Sequence, residues 1–431
     1  MIGAGAYMAI FTECCTTENE KFRILSLANT TLDKLHKRYF EKNLDSMYYA
    51  DTLLLIANAY PILNDKTKWE EFGYILASNI KNKLEQSKSG FFHPGMLGGF
   101  GGTCFSVNEF NKSTGLLNRF ASSLNCELGR QARFYLDYIN AQESVVMGHY
   151  DIVSGISGVL YYLLDFSTDE KLLDDMLRYL VRLANEKSDP DRHPIGYHII
   201  GKNQTRNDEK LLFPEGHLNF GLAHGMIGPL ISMSRAKEKG IVVKGLEEAI
   251  QTLISMYEQF VEIRNGVSFW PTQLSIDDYY TKSQQNDIRF GIASWCYGNL
   301  GIARGLYKTA KYLHDYHRTS IYEDAITAII NRPVEEYNLH ETILCHGYAS
   351  VLAVQMATYH STGNPALLNN LGSNISAIEK NMDVTDDGMF HVYYSLLEDD
   401  SSLLMGATGI ILSLLSTVCS NMSFTKLLLI D

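Results

Sequence analysis

Apolar runs along this chain begin repeatedly just after a pair of glycines. The pattern G-x-x-G recurs at Gly99–Gly102, Gly155–Gly158, Gly225–Gly228, Gly298–Gly301 and Gly406–Gly409, with a variant at Gly347–Ser350 whose second glycine is replaced. Hydrophobic stretches follow: VLYYLLDF after Gly158, IARGLYKTAKYL after Gly301, IILSLL after Gly409. Between the motifs lie amphipathic stretches such as KLLDDMLRYLVRLANE (171–186), whose apolar residues recur at helical spacing. Intervals of 49 to 73 residues between motifs are too long and uneven for a thin solenoid and fit helix pairs with variable loops. Residues 22–87 (TLDKLHKRYF, DTLLLIANAY) predict a further helix pair without the glycine signature. Two polar segments rich in Pro, Gly and β-branched residues, 188–219 and 264–289, read as strands and loops. The expectation is an all-α protein, one domain over 1–431, with a small β-containing insertion at 188–219.

Composition narrows the function more than the fold. At 431 residues, 45% hydrophobic and 20% charged, the chain can bury a substantial core. A net charge of −12 argues against a nucleic-acid partner, because nothing basic is in place to neutralise phosphates. Seven scattered cysteines lack the dense spacing of a small secreted fold, so a reduced, cytoplasmic setting is expected. The N-terminus has no basic region before its mildly apolar stretch and does not read as a signal peptide. No run approaches the length of a membrane-spanning helix. The string GGFGGTCF is not a nucleotide fingerprint, since the G-x-G-x-x-G spacing fails at Cys104 and no G-K-[ST] follows.

The candidate chemistry stands just before the glycines. Cys296 precedes Gly298 by two residues and Cys345 precedes Gly347 by two, with His346 next to it. Two thiolates and an imidazole form a soft ligand set suited to Zn²⁺, and three protein ligands leave a fourth tetrahedral position open. The plain alternative is a pair of buried apolar cysteines; the shared register favours the metal. His224 lies one residue before Gly225 and Asp151 four before Gly155. His224 is the candidate proton donor. Asp151 is either its orienting partner or a helix cap. Tyr297, beside Cys296, is a candidate for hydrogen bonding to substrate. His93, His149, His217 and His340 are assigned no chemistry.

Taken together, W-C-Y-G at 295–298, C-H-G at 345–347, A-H-G at 223–225, YDIVSGISG around Asp151 and the glycine series resemble the lanthionine synthetase C family, the lantibiotic cyclases, from about residue 95 onward. The resemblance implies an α/α toroid of paired helices with one Zn²⁺ per chain held by Cys296, Cys345 and His346. It implies closure of thioether rings in a dehydrated precursor peptide, by addition of cysteine thiols to dehydroalanine or dehydrobutyrine. Implied partners are that peptide with its leader, a dehydratase and an export transporter in a membrane-associated complex. One departure stands out: the family often carries an arginine four residues before the first zinc cysteine, where this chain has Ile292, and Arg289 is the candidate substitute. Two other functions share these residues. One is a transferase adding glutathione to dehydrated residues, the other a non-enzymatic zinc-bearing peptide adaptor.

Overall fold

Each glycine motif starts a helix buried on nearly all sides, and each but the last is followed by a helix with a single apolar stripe. In the computed structural model, which describes residues 15–42, 44–185, 195–282, 291–380, 382–384, 390–392, 401–420 and 422–431, this contrast sorts the main helices into two layers. They are α1 (Glu18–Phe40), α2 (Tyr49–Ala59), α3 (Lys66–Gln86), α4 (Phe100–Thr114), α5 (Asn118–Asn140), α6 (Ile156–Phe166), α7 (Glu170–Asn185), α8 (Ile227–Glu238), α9 (Leu246–Gln259), α10 (Asn299–Tyr312), α11 (Tyr316–Ile330), α12 (Tyr348–Thr362), α13 (Leu371–Lys380) and α14 (Ala407–Leu415). Every residue of α14 and residues 299–310 of α10 are buried, the signature of a helix enclosed on all sides. In α5 burial is confined to one stripe that includes Leu124, Leu128, Ala132, Tyr135 and Ile139.

The even-numbered helices form the inner ring. Helix α2 packs on α4, α6 on α8, α8 on α10, α10 on α12 and α12 on α14, and α14 returns to α2. Phe105 of α4 and Tyr162 of α6, with ring centroids 6.0 Å apart, join the remaining neighbours. The odd-numbered helices lie outside. Among them α1 spans the seam between α14 and α2, and Arg23 of α1 is paired with Glu379 of α13 at 3.0 Å. The fold is the expected toroid, and the helix pair foreseen in 22–87 supplies the inner helix that closes it.

The second motif glycine lets each inner helix start against the loop that precedes it. A Cβ at Gly301 would stand 2.0 Å from the carbonyl oxygen of Trp295, and one at Gly409 1.9 Å from that of Leu403. Only a residue without a side chain fits there.

The two polar segments meet each other. Strand β1 (His217–Asn219) pairs antiparallel with β4 (Gln273–Ser275), Leu218 opposite Leu274. A hairpin of β2 (Glu262–Arg264) and β3 (Val267–Phe269) lies between them in sequence. A further pair, β5 (Met382–Val384) and β6 (Phe390–Val392), follows α13. Both polar segments thus contribute strands, as expected, and a further pair lies beyond them.

The C-terminal stretch runs inside the ring. Phe424, Leu427, Leu428, Leu429 and Ile430 are buried. Trp295 donates its indole N–H to the Leu428 carbonyl at 2.9 Å. Fully buried Arg304 of α10 donates to the main-chain oxygens of Ile430 and Asp431 at 2.9 and 3.1 Å. Lys308 of the same helix and Tyr161 of α6 hold the Asp431 carboxylate.

Gly301→Ala is expected to destabilise the chain by about 2 kcal/mol or more, because the methyl group overlaps a backbone carbonyl that cannot move freely. Gly372→Ala, at an exposed position of α13 with nothing within 4 Å of the new Cβ, should instead add roughly 0.5 kcal/mol by restricting the unfolded chain. Urea unfolding of both variants measures the contrast.

Candidate metal centre

The loops that enter the inner helices are tied to one another by main-chain hydrogen bonds. Leu97 N–H donates to Val153 O, Ile152 to Ala223 O, Ala223 to Cys296 O, Cys296 to Cys345 O and Cys345 to Leu404 O, at 2.9–3.3 Å. All but one of these groups stand two residues before a motif's first glycine, so the repeat register becomes a single level in space. Leu403 N–H completes the link to the glycine-free pair by donating to Asp51 of α2 at 2.9 Å. Side chains on this level and the next residue are brought to one end of the ring.

On that level Cys296, Cys345 and His346 place one ligand atom each within 4.8 Å of one another. No other cluster of this kind occurs among the described residues. Cys296 is buried, while Cys345 and His346 are partly open, so the cluster has a face toward solvent. Burial alone would raise the Cys296 thiol, but hydrogen bonds from Cys345 and His346 hold it down at about 5. Cys345 is pushed up, first by donating its own proton to that thiolate and then by burial. His346 is raised by its bond to Cys296 and by that residue's charge, against burial. A donor set that already gathers negative charge on sulfur fits a divalent metal, and the N/S composition fits Zn²⁺.

Two neighbours hold this set in place. His346 Nε2 lies 2.9 Å from Glu341 Oε2, which leaves its other ring nitrogen as the third donor. Ser350, where the fifth motif departs from glycine, accepts the Trp295 N–H at 3.3 Å and donates to Gly347 O at 2.7 Å. The substitution therefore ties the Cys345 copy to the Cys296 copy. Neither Glu341 nor Ser350 carries a recognisable motif, so sequence reading missed both; the missing glycine was the only available signal.

His224 and Asp151 form a pair, Nδ1 to Oδ2 at 2.6 Å. Asp151 is 1% exposed and uses its other oxygen to accept the N–H groups of Ser154 and Gly155, both at 2.7 Å. It is thus both turn cap and histidine partner. Burial would lower the His224 pKa, but the Asp151 hydrogen bond and charge, joined by the charge of Cys296, raise it above its ordinary value. The Tyr297 ring centroid is 5.8 Å from that of His224. Arg289 lies outside the described residues, and Ile292, where the family arginine was expected, is half-buried. Of the histidines assigned no chemistry, His149 and His217 are buried, and His93 and His340 are exposed.

The family model for lanthionine synthetase C-like proteins matches residues 46–429. The chain belongs to this family. It is 25% identical to the nisin biosynthesis protein NisC of Lactococcus lactis subsp. lactis over 277 residues, 64% of each chain. That alignment spans just under two thirds of the relative's length. A solved nisin cyclase shares the fold with a TM-score of 0.78 at 20% identity, covering 96% of this chain and 98% of that one. The lanthionine synthetase C-like assignment thus rests on nearly the whole ring, including the glycine-free first pair.

Cys296→Ala or Cys345→Ala should abolish stoichiometric zinc binding, as measured by metal analysis after dialysis, with helical circular dichroism retained. Glu341→Gln should keep zinc but weaken its affinity roughly 10- to 100-fold in a chelator competition, because the histidine ligand loses its orienting carboxylate.

Proposed function

We propose that this chain is a zinc-dependent peptide cyclase. It adds the thiol of a peptide cysteine across the alkene of a dehydroalanine or dehydrobutyrine in the same peptide, giving lanthionine and methyllanthionine rings. The observation that carries the reading is the convergence of two functions on one level: a Cys296–Cys345–His346 donor set, and beside it a His224–Asp151 pair left out of that set. The NisC and nisin cyclase likenesses support the same reaction class.

Zn²⁺ held by Cys296, Cys345 and His346 would supply an open position at which a peptide thiol is kept as thiolate. His224 handles the protons. Its Nδ1 is fixed by Asp151, so Nε2 is the nitrogen free to exchange with substrate. Carbon–sulfur bond formation at the β-carbon leaves an enolate, and His224 delivers a proton to the α-carbon; the thiol's proton restores the histidine. Nothing is lost or gained overall. Asp151 holds the ring in the orientation this transfer requires and stabilises its protonated form. The N-termini of α8, α10 and α12 face the level where negative charge develops, a favourable placement. Tyr297 stands beside His224 and can hydrogen-bond the peptide carbonyl.

In this reading the substrate is a dehydrated precursor carrying a leader, and a dehydratase and an export transporter are working partners. The setting is the cytoplasm, with any contact to the membrane made through those partners. Among the described residues no helix is long and apolar enough to cross a membrane.

The direct test incubates the zinc-loaded protein with a dehydrated precursor, then alkylates free thiols and counts adducts by mass spectrometry. Loss of alkylatable thiol without a change in unalkylated mass is expected; persistent free thiols refute the proposal. His224→Asn should retain zinc and slow ring closure roughly 100-fold or more, the scale of lost general acid catalysis.

The pH profile gives an independent check. Because His224 acts as an acid and its pKa is raised, kcat should fall as pH rises through a value above 6.5. Asp151→Asn removes the main raising influence, so the same limb should move to lower pH.

A further inference from the structure

We propose that an aromatic groove along α5 binds the stretch of peptide flanking the reacting residues and selects dehydrated residues over their hydroxylated precursors. This rests on the cyclase reading above. The groove is open to solvent, holds about 670 Å³ and is lined by Ser89, Gly90, Phe91, His93, Arg130, Phe134, Tyr135 and Tyr138. Phe91, Phe134 and Tyr138, which are 45%, 52% and 56% exposed, gather on this one groove.

The groove is built, not incidental. Arg130, Phe134 and Tyr138 follow at i, i+4 and i+8 and so form one row on α5. The opposite wall, residues 90–92, is clamped by Gln131, which donates to Gly90 O at 2.9 Å and accepts from Phe92 N–H at 3.0 Å. His93 accepts the Gly95 N–H on Nδ1 at 3.2 Å. In the neutral ring this places the proton on Nε2, a donor suited to a peptide carbonyl. Partial burial of the ring keeps the His93 pKa down and so favours that neutral form.

The inner end of the groove joins the reaction level. Tyr135 packs edge-on against His93, centroids 4.7 Å apart, and donates to Gly148 O at 2.7 Å, just before Asp151. A Cβ at Gly95 would lie 2.8 Å from Val153 O, and Leu97 N–H donates to the same oxygen. One loop pair therefore forms both the inner end of the groove and the cradle of Asp151.

Charge and size choose the occupant. The lining contains no carboxylate, and its single guanidinium, Arg130, is already paired with Glu127 at 2.6 Å. That leaves the groove without net charge and suits an uncharged stretch of peptide. Dehydroalanine and dehydrobutyrine are flat and conjugated, so they stack on aromatic faces as saturated Ser and Thr cannot. A second copy of this chain is a poor fit. Three half-exposed aromatic side chains offer roughly 300 Å², well short of the roughly 800 Å² per partner of a stable interface.

The test uses a fluorescein-labelled peptide containing one dehydrobutyrine and one cysteine, and its threonine counterpart. Anisotropy titrations with the zinc-loaded full chain should show the dehydrated form binding several-fold tighter. Phe134→Ala combined with Tyr138→Ala should weaken it roughly 10-fold and raise KM in the ring-closure assay more than it lowers kcat. Tyr316→Ala, which removes an 82% exposed tyrosine on α11, should bind like the parent. Equal affinity for both peptides, or parental affinity in the double variant, overturns the groove. So does a benzoylphenylalanine placed at position 134 that crosslinks to a second copy instead of to the peptide. Failure of the two readings is separable. A parent chain that binds the dehydrated peptide through the groove yet closes no ring refutes the cyclase. Ring closure with parental KM in the double variant refutes only the groove.

Discussion

The band of main-chain hydrogen bonds linking successive entry loops is the constraint on which the site depends. Each bond is worth only about 1 kcal/mol net, yet leaving one of these N–H groups unpaired beneath the loops would cost more than that. The bonds run from copy to copy, so no loop can shift without straining its neighbours. They convert a repeat in sequence into a level in space. Cys296 and Cys345 therefore meet because they occupy equivalent positions in adjacent copies, and His224 stands next to them because its copy is the preceding one. The missing side chains at Gly301 and Gly409 serve the same end, since they let each helix begin directly against its own loop.

Much of this is legible in the amino-acid sequence itself. Apolar runs after the glycines alternating with amphipathic stretches announce two layers, and the glycine register locates the chemically capable residues. Residues outside the repeat logic are less legible. The strand pairing of His217–Asn219 with Gln273–Ser275 joins segments more than fifty residues apart, a long-range contact that local patterning does not encode. Glu341 precedes Cys345 by four residues in an irregular loop, where no periodicity gives its direction. Asp51 cannot be tied to the ring from sequence because its own helix pair lacks the glycine mark. The turn-capping role of Asp151 and its pairing with His224 are two separate expectations; the carboxylate has two oxygens, and each meets one of them.

Electrostatics couple the two halves of the centre. The Cys296 thiolate is stabilised by the neighbouring thiol and imidazole, and its charge also reaches His224. A cation binding between the sulfurs would compete with these protons, so metal uptake and the protonation of His224 are linked. The His224–Asp151 pair is sensitive to the state of the donor set without sharing an atom with it.

The C-terminal stretch lies between inner helices on different sides of the ring, held by Asn58 of α2, Tyr161 of α6 and Arg304 of α10. A toroid is often pictured as a clamp through which a polymer slides. Here the C-terminal stretch fills the space between inner helices, so on the cyclase reading proposed above a peptide would enter and leave by the same face. On that reading, a peptide with several rings to close would dock afresh for each one.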